Sequence, residues 1–399
     1  MRDFPIVQVS REIGLRGGSE CVAYELHRAW RALRINAQVI TSFATESEAR
    51  EGINLIAPWL SDWSEWGYLT TALALPIFTL LATMRVRRDY RAGVVLSHGD
   101  SLAGDVCIVH AVNRASLAEK RRAGYYQWLF NPANLWVAWR DWFMLSRGRY
   151  RRVVAISERV RQQLKEYYGV PDEKIVTIPN GINLSRFSPD HVKARNEMRR
   201  SLGFDESTPL VLFVGSQFRL KGLEVAIRAL ARMKTQAHLL VVGNDAANGF
   251  RQLAKELGIA ERVHFLGARK DLPEIYPAAD AFVFPSLYET FALVCLEAMA
   301  SGLPVLASRV GGIEDYLRDE ENGLFIKREG QDIAQKLDRV LADAELRARL
   351  RSNGLKTAAN YSWDKIAQQY LRLFDQLMME REAATNGGII NQSALSTST

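Results

Sequence analysis

Two glutamates stand in a stretch that is otherwise almost wholly apolar, Pro285–Val305. A buried carboxylate without partners is costly, so a polar ligand is one explanation for them. Glu297, within a predicted helix, could accept two hydrogen bonds from the vicinal hydroxyls of a ribose. Glu289, in the turn before that helix, could contact a sugar hydroxyl or the positive charge that develops at an anomeric carbon. The alternative is that Glu289 stabilises the helix N-terminus and that Glu297 is capped or salt-bridged.

Two cations occupy a similar position earlier in the chain. In the segment Phe213–Gly222 a strand ends at Gly215, and Arg219 and Lys221 follow in a short loop before a predicted helix over Lys221–Met233. Positive charge beside the carboxyl end of a strand suits a diphosphate in the crevice of an open sheet. The unpaired N–H groups at the helix start predicted near Phe291 would also bind an anion. The alternative is a solvated Lys/Arg loop.

The elements that must position these groups alternate between strand and helix, which predicts an α/β protein with parallel sheets. Two such halves are expected, with the join between Pro179 and Pro209. We predict domains at 1–190 and 200–362, a C-terminal helix at about 363–382 and a disordered tail at 383–399. The strands predicted for the first half are Ile6–Ser10, Ala37–Thr41, Val94–Ser97, Val106–Val109, Val153–Ile156 and Ile175–Ile178.

Composition limits the classes of protein and compartment. The 399 residues carry a net charge of +7 and are 48% hydrophobic, as in a folded globular protein of two domains. Three widely spaced cysteines argue against a disulfide framework or a zinc site, and the start MRDFPIVQVS lacks the apolar core of a signal peptide. A cytoplasmic protein is expected. The chain has neither GxxxxGK[ST] nor GxGxxG after a strand, and no D-x-D, which weakens P-loop, nicotinamide and metal-diphosphate interpretations.

Several motifs together resemble glycosyltransferase family 4, whose members are retaining enzymes of the GT-B fold with two Rossmann-like domains. The E-x7-E block with LEAMASGLPV, the segment FVGSQFRLKG, GGSE at Gly17–Glu20, VAISERVRQQL and IPNGINLSRFSP carry this resemblance. It covers most of the chain, from GGSE to the C-terminal helix. The arrangement of FVGSQFRLKG is more narrowly similar to the lipopolysaccharide core glucosyltransferase subgroup.

The resemblance implies two domains that face each other across a cleft, with the C-terminal helix crossing back to the N-terminal domain. It implies that Lys221, helped by Arg219, holds the donor diphosphate and that Glu297 binds the ribose. Glu289 would lie against the donor sugar, and His110 would hydrogen-bond that sugar near the anomeric centre. His98 is expected to be structural. The remaining donor-binding positions are Gly17, Gly18, Gly215, Phe291, Ala292 and Leu293.

Three departures from the family pattern affect the expected specificity. Ser216 stands where many relatives have Arg after the strand glycine. Thr290 and Ala292 stand where many have glycine, and their side chains narrow the space near the sugar. The base-reading loop is expected near His264–Gly267. The implied reaction transfers a hexose from a nucleotide diphosphate sugar, expected to be UDP-linked, without metal or other cofactor, to a saccharide or lipid-linked acceptor of lipopolysaccharide or exopolysaccharide synthesis.

Two other functions are compatible with the sequence. A sugar-nucleotide epimerase could share the fold, although such epimerases lack the E-x7-E block in this form. A non-catalytic, membrane-associated sugar-nucleotide binder is the second alternative, and the presence of Glu289, Glu297 and Lys221 argues against it.

A basic and aromatic window lies between residues 119 and 152. It holds eight basic residues against two acidic ones and is interleaved with aromatics at helical spacing. This composition predicts an interfacial helix on an anionic membrane, at the inner face of the cytoplasmic membrane; nothing else supports nucleic-acid binding. A helix packed in the core is the alternative, and the apolar run Gly67–Met84 is predicted to be buried or surface-lying rather than transmembrane. The predicted membrane-contacting residues are Arg121, Arg122, Trp128, Trp136, Trp139, Trp142 and Phe143.

Overall fold

The computed structural model describes residues 4–15, 18–45, 51–60, 68–90, 92–122, 124, 126, 131–190 and 195–396. Gly17 and Trp128 therefore lie outside the described residues.

The first half forms a seven-stranded parallel sheet in the order β5-β3-β1-β6-β7-β8-β9. The apolar, β-branched character of β6 and β7 suits strands that are covered on both faces, and both are fully buried. A short pair, β2 with β4, stands beside the sheet. The strands are β1 Ile6–Val9, β2 Glu12–Ile13, β3 Ala37–Thr41, β4 Phe43–Ala44, β5 Ile53–Leu55, β6 Val94–Ser97, β7 Val106–Val109, β8 Arg152–Ala155 and β9 Ile175–Thr177.

The second half forms a six-stranded parallel sheet in the order β12-β11-β10-β13-β14-β15. This is the 3-2-1-4-5-6 order of a Rossmann sheet. The strands are β10 Leu210–Val214, β11 His238–Val242, β12 Val263–Gly267, β13 Ala281–Phe284, β14 Val305–Ser308 and β15 Leu324–Ile326.

Helices connect the strands and cover the sheets, as the βαβ pattern requires. Those before the join are α1 Ser19–Ala32, α2 Tyr68–Asp89, α3 Asn113–Arg122, α4 Ala133–Asp141 with the π-helical turn Trp142–Ser146, and α5 Glu158–Tyr168. Those after it are α6 Arg195–Ser201, α7 Phe218–Lys221, α8 Leu223–Leu230, α9 Asn248–Glu256, α10 Leu272–Ala278, α11 Leu293–Ala300, α12 Ile313–Tyr316, α13 Gly330–Ala342, α14 Ala344–Ala359 and α15 Trp363–Ser396.

The strand order reverses once in each sheet, and ligands of open α/β sheets bind at such a switch point. In the first sheet the reversal falls between β1 and β6, and in the second between β10 and β13. The residues that follow β10 include Lys221, and those that follow β13 include Glu289. The topology therefore brings the two segments singled out in the sequence to one crevice.

The chain crosses between the domains twice, and the two crossings pair with each other. Ile182 N donates to Tyr361 O at 2.7 Å, and Trp363 N donates to Ile182 O at 3.3 Å. Helix α15 then packs against α1, where Trp30 Nε1 donates to Ala367 O at 3.2 Å. The predicted return of the C-terminal helix to the N-terminal domain is confirmed.

Three boundaries differ from the prediction. Helix α15 continues through Ser396 instead of ending near 382, because the segment after 382 contains no proline and extending a helix is easier than nucleating one. The backbone of 383–396 is thus helical, whereas the prediction gave a disordered tail at 383–399. The helix predicted over Lys221–Met233 is divided at Gly222, whose φ is +82°. The helix expected near Phe291 begins at Leu293.

Residues 68–84 of the predicted apolar run lie in α2, which packs against α4 and is buried along one side, while Gly67 lies outside the described residues. Within the described part of the chain, no helix has the combination of length and apolarity needed to cross a bilayer.

Candidate active site

A cleft of about 520 Å³ between the two domains gathers most of the residues predicted from the sequence. Both domains and both crossings contribute to its walls. The predicted residues that line it are Gly18, His110, Gly215, Lys221, Glu289, Phe291, Ala292, Leu293 and Glu297.

Lys221 reaches the cleft because the backbone around it is tightly bent. Helix α7 ends at Gly222, where a Cβ would clash with the carbonyl of Pro285, so the backbone of this turn lies directly against the end of β13. Leu287 N donates to Leu220 O at 2.9 Å and joins the same two segments. Together these contacts place Lys221 beside the Glu289 turn.

Lys221 and Glu289 form an ion pair, with Lys221 Nζ 2.5 Å from Glu289 Oε1. Their side chains are only 20% and 10% exposed, so the pair is partly shielded from solvent. Ser286 Oγ donates to the same carboxylate oxygen at 3.3 Å. Glu289 thus contacts the lysine directly, and a bound anion would have to share or displace that contact.

The turn that carries Glu289 is held by contacts from the neighbouring loop. Tyr316 OH donates to Ala292 O at 3.0 Å, and it lies 3.2 Å from Phe291 O. Gly311 lies so close that a Cβ there would clash with the carbonyl of Glu289, and its φ of +54° is a conformation that favours glycine. These contacts position the Glu289 carboxylate and the start of α11.

Two non-glycine residues beside the cleft adopt the left-handed conformation. Gln217 has φ 57° and ψ 60°, and Ala292 has φ 60° and ψ 66°; each precedes the helix that follows a central strand. Such residues cost on the order of 1–3 kcal/mol and persist where the surrounding structure requires them. Ala292 is one of the positions where the family resemblance leads us to expect glycine, and its backbone keeps the conformation that glycine adopts most easily.

Glu297 lies in the second turn of α11 and has one hydrogen-bond partner among the described residues. Tyr276 OH donates to Glu297 Oε2 at 2.8 Å. Burial raises the pKa of Glu297, while the Tyr276 hydroxyl and the charge of Arg186 act in the opposite direction. The second carboxylate oxygen thus remains available to a ligand hydroxyl, and among the described residues Glu297 has the Tyr276 hydrogen bond and no salt bridge.

His110 follows β7 and is hydrogen-bonded to His98. His98 Nδ1 and His110 Nε2 are 3.0 Å apart, and the two rings stack with an interplanar angle of 11°. His98 Nε2 lies 2.9 Å from Gln8 Oε1. Burial lowers the pKa of His110 to about 4 and also lowers that of His98, so both rings are neutral near pH 7. His98, expected to be only structural, directly contacts a predicted site residue.

Arg219 is not among the residues that line the cleft. It is exposed, and its guanidinium lies beside Gly124. Successive residues of a helix point about 100° apart, so Lys221 and Arg219 on α7 face different directions. The expectation that Arg219 assists Lys221 in the cleft is therefore not supported by its placement.

Other polar residues that the sequence did not single out line the cleft instead. Arg186 and Arg269 lie in its wall, and the Arg269 guanidinium is paired with Asp271, with Nε 2.8 Å from Oδ1. Asn180 is 6% exposed, and its Oδ1 is buried without a hydrogen-bond partner in the described structure. Asn180 and Arg186 lie in the motif IPNGINLSRFSP, so the motif itself was the signal that could have identified them.

A second cavity of about 250 Å³ lies in the N-terminal domain and shares Ser19 and His110 with the cleft. Its walls include Arg140, whose guanidinium is 2.9 Å from Asp141 and 3.6 Å from Asp100. Burial raises the pKa of Asp141, while Arg140 acts in the opposite direction. The remaining charged residues of this cavity are Arg11, Glu12 and Glu20.

The predicted membrane-contacting residues partly stack on one another. The rings of Trp136 and Trp139 are 4.9 Å apart, and those of Trp139 and Phe143 are 5.3 Å apart. Trp139 and Trp142 remain 43% and 37% exposed. Arg121 and Arg122 are also exposed. Helix α4 thus packs on α2, as in the core alternative, while part of its aromatic side faces solvent.

Each half of the chain matches a protein-family model. Residues 16–186 match the model Glycosyltransferase Family 4, and residues 194–357 match the model Glycosyl transferases group 1. The chain is 37% identical over 254 residues to D-inositol 3-phosphate glycosyltransferase of Nocardia farcinica, covering 59% of this chain and 55% of that protein. It is 34% identical over 231 residues to an uncharacterized glycosyltransferase of Methanocaldococcus jannaschii, covering 56% and 59% respectively. The chain thus spans less than two thirds of the length of these curated relatives.

Solved structures share the architecture of the whole chain. WaaG, a glycosyltransferase involved in lipopolysaccharide biosynthesis, superposes with a TM-score of 0.73 at 21% identity, covering 92% of this chain and 99% of that one. Anabaena HepE in complex with UDP-glucose gives a TM-score of 0.71 at 21% identity, covering 93% and 99%. These likenesses confirm the predicted GT-B fold of two Rossmann-like domains.

Proposed function

We propose that this chain transfers a hexose from a nucleotide diphosphate sugar to an acceptor hydroxyl. Its first half matches the model Glycosyltransferase Family 4, and its second half matches the model Glycosyl transferases group 1. The observation that carries this proposal is the meeting of Lys221, Glu289, Glu297 and His110 in one cleft between the two strand-order reversals. A UDP-linked donor is the first choice, because the fold neighbour HepE was crystallised with UDP-glucose.

In the proposed donor complex, the diphosphate lies between Lys221 and the start of α11. Peptide N–H groups at a helix start, together with a neighbouring ammonium, stabilise phosphate charge. Glu297 Oε1 accepts from the ribose hydroxyls while Oε2 keeps its bond from Tyr276. Arg186 supplies further positive charge at the cleft wall.

The proposed reaction proceeds with retention of the anomeric configuration. Bond breaking gives the hexose oxocarbenium character and leaves negative charge on the departing diphosphate. Lys221 and the peptide N–H groups stabilise that charge as it grows. Because this stabilisation is stronger in the transition state than in the bound substrate, it lowers the barrier to transfer. The departing phosphate oxygen takes the proton from the acceptor hydroxyl on the same face.

The second cavity is the proposed site of the acceptor, since it adjoins the cleft at Ser19 and His110. Its two arginines already contact carboxylates: Arg140 pairs with Asp141, and Arg11 lies 2.5 Å from Glu12. Carboxylates only accept hydrogen bonds, so they suit hydroxyl donors and disfavour a phosphate. An uncharged saccharide acceptor, free or lipid-linked, fits this lining, and the proposed role is in lipopolysaccharide or exopolysaccharide synthesis.

The donor part of the proposal is tested by measuring how far UDP, GDP and ADP sugars raise the melting temperature of the protein. Glu297→Ala is expected to weaken UDP-sugar binding about 10- to 100-fold, the effect of hydrogen bonds to a charged group. The matched control is Glu345→Ala, which removes an exposed carboxylate of the same domain and should leave binding unchanged. If none of the sugar nucleotides stabilises the protein, the proposal is contradicted.

Release of free UDP only when acceptor is added distinguishes a transferase from an epimerase or a non-catalytic binder.

An anionic membrane at the cytoplasmic face is the proposed location. Helices α2 and α4 pack together and expose large apolar side chains beside exposed arginines, which matches the chemistry of an anionic lipid surface. The exposed apolar residues are Leu73, Leu80, Leu81, Met84, Leu135, Trp139 and Trp142. The exposed arginines are Arg87, Arg88, Arg121, Arg122, Arg147 and Arg149.

Flotation with vesicles tests this location. The protein is expected to float with phosphatidylglycerol vesicles at low salt and less at high salt, because screening weakens the arginine attraction. Leu135→Glu, which puts a charge on the most exposed apolar side chain of α4, should reduce flotation. Leu33→Glu, an exposed leucine on the C-terminal side of α1, is the control. If the protein floats at neither salt concentration, membrane binding is excluded.

A further inference from the structure

Gln8, His98 and His110 form a hydrogen-bonded chain that runs from the buried strand β1 to the cleft. Gln8 is 0% exposed and His98 is 8% exposed, whereas His110 lines both the cleft and the second cavity. The chain thus connects the interior of the N-terminal domain with the place where the donor and the acceptor are proposed to meet.

The direction of each hydrogen bond follows from the buried end. Gln8 Nε2 donates to Ala23 O at 3.3 Å, which leaves Gln8 Oε1 to face His98 Nε2. Since Oε1 can only accept, His98 Nε2 carries the proton, and His98 Nδ1 is then an acceptor. His110 Nε2 must therefore donate to His98 Nδ1.

This order determines the tautomer of His110. With the proton on Nε2 and the ring neutral, Nδ1 carries a free lone pair. Nδ1 has no hydrogen-bond partner among the described residues, although His110 lines the cleft. Without this chain of hydrogen bonds, the neutral His110 ring could carry its proton on either nitrogen. In one of the two tautomers, Nδ1 would then be a donor toward a ligand instead of an acceptor.

We propose that Gln8 and His98 are positioning residues that hold His110 in the Nε2-protonated tautomer, so that Nδ1 accepts a hydrogen bond from a sugar hydroxyl at the boundary of the two cavities. This inference rests on the proposed function for its substrate, but the tautomer itself is a property of the free protein. The charged residues that line the second cavity with this pair are Arg11, Glu12, Glu20, Asp100, Arg140 and Asp141.

The first measurement is nitrogen NMR of the unliganded protein labelled with ¹⁵N-histidine, with His110→Gln used to assign the resonance. His110 is expected to show a protonated Nε2 and an unprotonated Nδ1 at pH 7. The opposite tautomer, or a mixture of both, would overturn the proposal. This result does not depend on transferase activity, so it separates failure of the inference from failure of the proposed function.

The second measurement is the pH profile of UDP release in the presence of acceptor. Burial lowers the pKa of His110 to about 4, so the ring stays neutral and able to accept above pH 5. Gln8→Glu places a carboxylate against His98 and is expected to move the acid limb of the profile upward by about 1–3 pH units. An acid limb that stays at the wild-type position in a folded Gln8→Glu protein would count against the proposal.

Replacement of His98 separates positioning from packing. His98→Phe keeps a buried ring but removes the acceptor for His110 Nε2, and we expect kcat to fall about tenfold, the effect of one lost neutral hydrogen bond, with little change in UDP binding. His98→Asn keeps an acceptor near the Nδ1 position and is expected to retain more of the activity.

The control is the stacked pair His238 and His264, whose nitrogens are 2.9 Å apart in the other domain. His238→Phe should leave the acid limb unmoved, and equal activities of His98→Phe and His98→Asn would argue against positioning.

Discussion

Replacement of Lys221 by methionine is expected to lower the turnover of sugar transfer by about 10²–10³-fold, because the departing diphosphate loses a pre-positioned cation. Methionine preserves much of the side-chain length without the charge. Since Lys221 Nζ contacts Glu289 Oε1 at 2.5 Å, the replacement also leaves a shielded carboxylate without its partner. Stability is therefore expected to fall by about 1–3 kcal/mol. Steady-state kinetics and denaturant unfolding measure the two effects separately.

Two further variants distinguish the loss of catalysis from the loss of stability. Lys221→Met combined with Glu289→Gln neutralises both partners, so it should recover stability without recovering turnover. Arg219→Met removes a cation from the same short helix, and its side chain lies outside the cleft lining. It is expected to retain most of the turnover. If Lys221→Met were as active as the wild type, the proposed stabilisation of the leaving group would be wrong.

Replacement of Trp30 by alanine is expected to destabilise the protein by about 3–5 kcal/mol, the range for truncating a large buried aromatic side chain. Trp30 is 0% exposed. Its ring makes edge contacts with Tyr370 and Phe374, at centroid distances of 6.2 and 5.6 Å, and its Nε1 donates to Ala367 O. All three partners belong to α15, so the variant tests whether the returning helix contributes to the stability of the N-terminal domain.

Denaturant unfolding of Trp30→Ala should be compared with that of Trp59→Ala, in which the replaced ring is 47% exposed. The control is expected to change the free energy of unfolding by less than about 1 kcal/mol. Trp30→Phe keeps an aromatic ring but lacks the indole N–H. Its loss in free energy of unfolding should lie between the losses of Trp30→Ala and Trp59→Ala. A loss for Trp30→Ala no larger than that of the control would show that the packing of α15 on α1 contributes little.

Local sequence patterns predicted the elements of both sheets well. The apolar runs at Val94–Ser97 and Val106–Val109 coincide with β6 and β7 to the residue, because a buried strand requires a short, uninterrupted apolar run. Glu289 and Glu297, which the sequence singled out, both line one cleft. Their separation along the chain is short, so the turn and the first turns of one helix bring them together without help from distant residues.

The pairing of distant side chains could not be predicted in this way. The sequence alone determined the alternation of strands and helices, the two halves and the cluster of polar residues after β10 and β13, since these follow from local periodicity and from the strand ends of a parallel sheet. Only the tertiary structure decided that Lys221 contacts Glu289, that His98 contacts His110, and that Arg219 is not among the residues lining the cleft. Such contacts depend on how the loops between elements pack against each other, and on backbone conformations such as that of Ala292, which no local residue pattern specifies.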